Sequence, residues 1–131
     1  MSPRIRRSRC RDGGSAAVSI AIVFPAVGLL FLALLQAVLV SVARDVALAA
    51  AEEGLRVARA RHGSHAQGRT AAAGFARHEP VLQAPAVTVT GADTITVHVR
   101  GHAPSVLPGL HLQVSQAARG AREHFTTPQR P

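Results

Sequence analysis

The chain has no Lys, Trp or Tyr, one Cys and only four Phe in its 131 residues. Each scarcity removes a class of function. A lone cysteine, Cys10, cannot form an intramolecular disulfide, and no catalytic partner stands beside it. It reads as an incidental residue of a leader segment, and the missing disulfides do not decide the compartment. Without Tyr or Trp there are few platforms on which single-stranded bases could stack. The formal net charge of +8 is therefore poor support for nucleic-acid binding. Gly13-Gly14 has neither the spacing nor the Lys of a phosphate-binding loop.

The placement of charge is informative where its total is not. All 15 basic residues are Arg, and Arg4, Arg6, Arg7, Arg9 and Arg11 crowd the segment just before an apolar run. That is where a positive-inside topology signal belongs. From Ser15 to Ala43 no residue is charged, and the run exceeds the roughly 20 helical residues that a bilayer core requires. It is also longer than the roughly 7–15 apolar residues of a cleavable secretory signal. A membrane helix over 15–43 is predicted, with the N-terminus in the cytoplasm and the remainder outside it. Pro25 removes a backbone donor within this run and predicts a kink. Gln36 is its only strongly polar side chain; it could hydrogen-bond a neighbouring helix, though a single amide is weak evidence of assembly.

Helical signals continue past Ala43. Arg44 to Arg61 is rich in good helix formers and lacks Pro, with Val46, Ala50 and Val57 near one face. Glu52 and Arg56, at i and i+4, predict an ion pair. One helix is expected over 16–61, ended by His62-Gly63-Ser64, and a short one over 69–77. The period then changes to two. Val87 and Val89 alternate with Thr88 and Thr90, and Ile95, Val97 and Val99 alternate with Thr96, His98 and Arg100, across a turn at Gly91-Ala92-Asp93. Leu110, Leu112 and Val114 supply a third strand after a Pro- and Gly-containing connection. The predicted class is α+β: a long N-terminal helix, transmembrane then amphipathic, a short second helix, and a small three-stranded antiparallel sheet packed on the long helix. The domain reading is a basic cytoplasmic leader over 1–14, a membrane segment over 15–43, an extracytoplasmic domain over 44–125 and a disordered tail over 126–131.

No catalytic constellation emerges. His62 and His65 have i, i+3 spacing but no Cys or carboxylate cluster to complete a metal shell. Glu52 and Glu53 are adjacent, so they point to different sides of a helix and cannot flank one scissile bond. The serines lack a nucleophile-elbow context. The reading is a non-enzyme with no cofactor and no metal.

Three stretches resemble the TadE-like family, pseudopilin-like proteins of tight-adherence (Flp-type) pilus systems. They are Gly14-Ser-Ala-Ala-Val-Ser-Ile-Ala-Ile-Val-Phe-Pro25, Ala50-Ala-Glu-Glu-Gly-Leu-Arg56, and Ala103-Pro-Ser-Val-Leu-Pro-Gly-Leu110 with Arg122-Glu-His-Phe125. The last resembles TadE-like proteins of high-GC actinobacteria, which the all-Arg, Ala-rich composition suits. The resemblance extends over Arg11 to Phe125 and implies assembly rather than catalysis. It implies processing by a prepilin peptidase after Gly14, which would leave Ser15 as the new N-terminus, and partners among other pilus or secretion proteins. In such families the fifth mature residue is usually acidic and pairs with a neighbour's terminal amine; here it is Ser19, which cannot neutralise an amine. A minor subunit, an uncleaved accessory anchor and a pseudopilin using other contacts all remain open. So do homo-oligomerisation and a binding module anchored in the membrane but unrelated to pili.

Overall fold

Residues 13–123 are described by the computed structural model. The leader arginines Arg4, Arg6, Arg7, Arg9 and Arg11, Cys10 and the 126–131 tail lie outside them, as do His124 and Phe125. The elements are α1 (Gly13–Arg59), α2 (His65–His78), β1 (Gln83–Thr90), β2 (Thr94–Ala103) and β3 (Leu112–Ala121). The class is α+β, with the predicted order of elements. The chain forms two units that divide within α1, the first ending at Leu34 and the second beginning at Leu35.

In the first unit α1 runs through Pro25 without interruption. Val18, Ile20, Ile22, Phe24, Leu30 and Phe31 are all exposed. A helix that is apolar all round has no stable place in water. Among the described residues α1 is the one helix long and apolar enough to cross a membrane.

The second unit is built on a seam of small residues. Ala43, Ala47, Ala50, Ala51, Gly54 and Ala58 are buried along one face of α1. Their spacing follows the helical repeat, so the face is a continuous stripe. Against it lie α2, through Gly68, Ala72 and Ala76, and the inner side of the sheet. The approach is close because side chains are missing. A Cβ on Gly54 would stand 2.7 Å from the Cβ of Ala72 and 3.2 Å from Cγ1 of Val97.

The sheet is an antiparallel meander in the order β1-β2-β3. Val87 pairs with Val99 and Val89 with Val97; across β2, Val97 pairs with Ala118 and Gly101 with Val114. Strand alternation therefore puts Ile95, Val97, Val99 and Val114 on the covered side, where they are the largest fully buried side chains. The core is aliphatic, consistent with the scarcity of aromatics. Three strands alone would be marginal, and the alanine seam supplies the missing surface. At Gly91, φ is +101°, and a side chain there would collide with the Thr94 carbonyl, so the β1–β2 turn requires glycine.

Boundaries differ from the sequence reading at several points: α1 spans Gly13–Arg59 rather than 16–61, and β3 starts at Leu112, which leaves Leu110 exposed in the connection before it. The second helix starts at His65 rather than Arg69, because Ser64 and Gln67 form a capping box. The Gln67 amide donates to Ser64 Oγ at 3.2 Å and the Ser64 amide donates to Gln67 Oε1 at 3.1 Å. The first strand begins at Gln83, ahead of Val87, with a bulge between Gln83 and Ala86 that holds Ala84 at φ +47°. The third strand runs on to Ala121, well beyond Val114, because β2 offers partners along its whole length.

Candidate functional site

The processing residues named from sequence fall at the start of α1. Gly14 and Ser15 belong to its first turn. Ser19 is exposed and, with Ile20, Val23, Phe24 and Val27, lines a shallow groove on the same helix. None of the residues lining that groove is charged, so it offers surface for apolar contact.

The most developed polar arrangement lies at the start of the second unit. Gln36, 7 % exposed, is the buried polar residue among an otherwise apolar set. The sequence suggested a neighbouring helix as its partner. Its partner is instead the β2–β3 connection of the same chain. Nε2 donates to the Pro104 carbonyl at 3.1 Å, and Oε1 accepts from the Val106 amide at 3.0 Å. Both ends of one amide are thus satisfied by backbone that would otherwise be unpaired, the usual condition for burying such a group. Ser105 completes the turn: its Oγ donates to the Leu107 carbonyl at 2.8 Å and accepts from the Leu107 amide at 3.1 Å. Beside the turn is a cleft of about 300 Å³ lined in part by Gln83, His102, Ser105, Leu107 and His111.

The far end of the sheet is held by arginines. Arg59 Nε donates to the Ala121 carbonyl at 2.7 Å, with its side chain lying across Gly120. Arg122 donates through Nη2 to the Gly63 carbonyl at 3.1 Å and through its amide to the Asp93 carbonyl at 2.8 Å. Neither residue was singled out for contact by sequence reasoning, since an Arg-to-carbonyl bond has no short-range signature.

The expected Glu52–Arg56 pair is not formed. Arg56 forks onto Glu53 instead, Nε to Oε2 at 2.9 Å and Nη2 to Oε1 at 2.7 Å. This i, i+3 arrangement satisfies both carboxylate oxygens at once, a geometry that favours guanidinium over a single-point contact. The hydrogen bond from Arg56 holds the Glu53 carboxyl below its usual range, and the same bond raises Arg56. Both groups are solvent-facing, so the pair marks a surface, not a reaction centre. His62 is exposed in the turn after α1 and His65 opens α2. Among the described residues no three His, Cys, Asp or Glu side chains gather as a metal site would need. Compared with family models, curated proteins and solved structures, the chain finds no match.

Proposed function

We propose that the chain is a non-enzymatic, membrane-anchored, pseudopilin-like component of a tight-adherence pilus or secretion assembly. The observation that carries this reading is the division of labour along one continuous helix. Over its first unit α1 leaves its apolar side chains uncovered, and over its second it presents an alanine stripe to a small sheet. Hydrocarbon or neighbouring apolar helices suit the first part; the second already has its partner within the chain. The sequence resemblance at Gly14–Pro25, Ala50–Arg56 and Ala103–Leu110 supports the same assignment. The arginines before the span orient the N-terminus to the cytoplasm and the sheet-bearing domain outside. Its partners are then the membrane, other assembly proteins and a prepilin peptidase.

Ser19 favours a second reading, an uncleaved anchor for an extracytoplasmic binding module, because it lacks the charge that would fix a processed terminus on a neighbour. Terminal-peptide mass spectrometry of the protein from native membranes separates the two. A terminus at Ser15 that disappears when the prepilin peptidase is inactivated supports the pseudopilin. An intact terminus carrying Arg4 to Arg11 supports the uncleaved anchor. A terminus beyond Ala43 sinks both.

A further inference from the structure

We infer that the loop from Pro104 to His111 is a second membrane contact, a monotopic tip that enters the lipid headgroup and upper acyl region beside α1. This rests on the reading of α1 as a membrane anchor and adds a site to it. The first support is the level at which the loop is held. Gln36 binds Pro104 and Val106 directly. It lies about 12 Å along the helix before Arg44, the first charge after the apolar run. A bilayer core takes about 20 helical residues, and counted from Ala17 these end at Gln36. The loop is thus tied to the helix where hydrocarbon gives way to headgroups. At this level α1 itself exposes Leu35, Val38 and Val42.

The second support is the loop's own chemistry. Val106, Leu107 and Leu110 are each more than a third exposed. Pairing from within the protein lowers the cost of bringing irregular backbone to lipid; the Ser105 and Gly109 amides, which have no such partner among the described residues, require the backbone to stay at headgroup level. Here the Pro104 carbonyl and Val106 amide are paired by Gln36, and the Leu107 amide and carbonyl by Ser105. The Leu110 amide donates to the Leu107 carbonyl at 3.3 Å, and Pro108 has no amide hydrogen to satisfy. Charge agrees with position: from Thr94 to Arg122 the sequence has no acidic residue, so nothing in the sheet hairpin repels anionic headgroups. The β1–β2 turn at Ala92 lies at the other end of β2, about 30 Å away along a ten-residue strand.

The test uses full-length protein in vesicles of phosphatidylcholine and phosphatidylglycerol. Single cysteines are placed at Leu107, Leu110, Ala92 and Leu30 on a Cys10→Ser background and carry an environment-sensitive fluorophore. Circular dichroism confirms that each labelled protein is folded, and two loop positions guard against a local defect at one. Labels at Leu107 and Leu110 are expected to shift to the blue, to be quenched by brominated lipid and to lose quenching by aqueous iodide, as at Leu30. The Ala92 label is expected to remain open to iodide. Iodide access at both loop positions with lipid quenching at Leu30 overturns the loop contact while leaving the anchor in place. Shielding of the loop from both quenchers overturns it too, in favour of cover by a second protein surface. Iodide access at Leu30 overturns the anchor, and the loop contact with it.

Discussion

Gly54 on α1 and Gly68 on α2 face each other so closely that a Cβ on either would stand 2.8 Å from the other's carbonyl oxygen. The obstacles on each side are that carbonyl and an alanine Cβ at 2.7 Å, neither of which can rotate out of the way. Gly54→Val or Gly68→Val should therefore force the helices apart and cost about 3 kcal/mol, the upper range for overpacking. Gly74, in the same helix as Gly68, has nothing near its missing Cβ. Gly74→Ala should stabilise α2 by up to about 1 kcal/mol through helix propensity alone. Thermal unfolding of the three variants in one detergent should separate them in opposite directions; equal effects would refute the tight crossing.

The capping box gives a second test. Ser64→Ala removes the acceptor for the Gln67 amide and should cost about 1 kcal/mol. Hydrogen exchange should show faster exchange in the first turn of α2, while the meander keeps its protection. Unchanged exchange at Gln67 would mean that the side-chain bond contributes nothing.

Gln36→Leu keeps the apolar run apolar but leaves the Pro104 carbonyl and the Val106 amide without their partner. Two orphaned groups in a partly buried place should cost about 2–3 kcal/mol. The expected signature is local: exchange at Val106 accelerates, and membrane partitioning is unaltered because the span becomes more hydrophobic. Full retention of Val106 protection would show that the loop is held by other means.

For Glu53 the pH dependence has a definite sign. Its folded-state pKa is lowered by the Arg56 hydrogen bond, so any stability it lends is present above the unfolded carboxyl's value, about 4.3, and is lost as acid titrates the folded group. Arg56 stays charged throughout. Arg56→Ala should move the Glu53 carboxyl titration, followed by carbon NMR, back up toward the ordinary range. Near neutral pH the unfolding temperature should scarcely change, since the pair is exposed.

Periodicity made much of this fold legible. A charge-free run, a change from helical to two-residue spacing, and a glycine-bearing turn were enough to order all five elements. The seam of Ala43, Ala47, Ala50, Ala51, Gly54 and Ala58 was less visible, because alanine carries little hydrophobic contrast in an Ala-rich chain. Sequence reading placed Val46, Ala50 and Val57 near one face; Ala50 is buried, while Val46 and Val57 are only half-buried. The Ser64–Gln67 box was present as a motif, yet the Ala-rich stretch after Gly68 drew the start of α2 too far along the chain. Gln36 was legible as an anomaly but not as a clamp, since its partners are 68 and 70 positions away. Glu53 outcompeted Glu52 for Arg56 through the rotamers of a guanidinium fork, which spacing alone does not encode.

A stripe of alanines permits close approach but is nearly featureless along its length, so by itself it leaves the hairpin free to slide. The sliding coordinate is fixed at its two extremes, by Gln36 at the Pro104 end and by Arg59 at the Ala121 end. Cohesion and alignment are therefore supplied by different chemistries. A tug along the axis of α1 would load both pins in shear at once, with Val97 and Ala72 seated close against Gly54 between them. The sheet would hold its place until the polar bonds and that close contact gave way together.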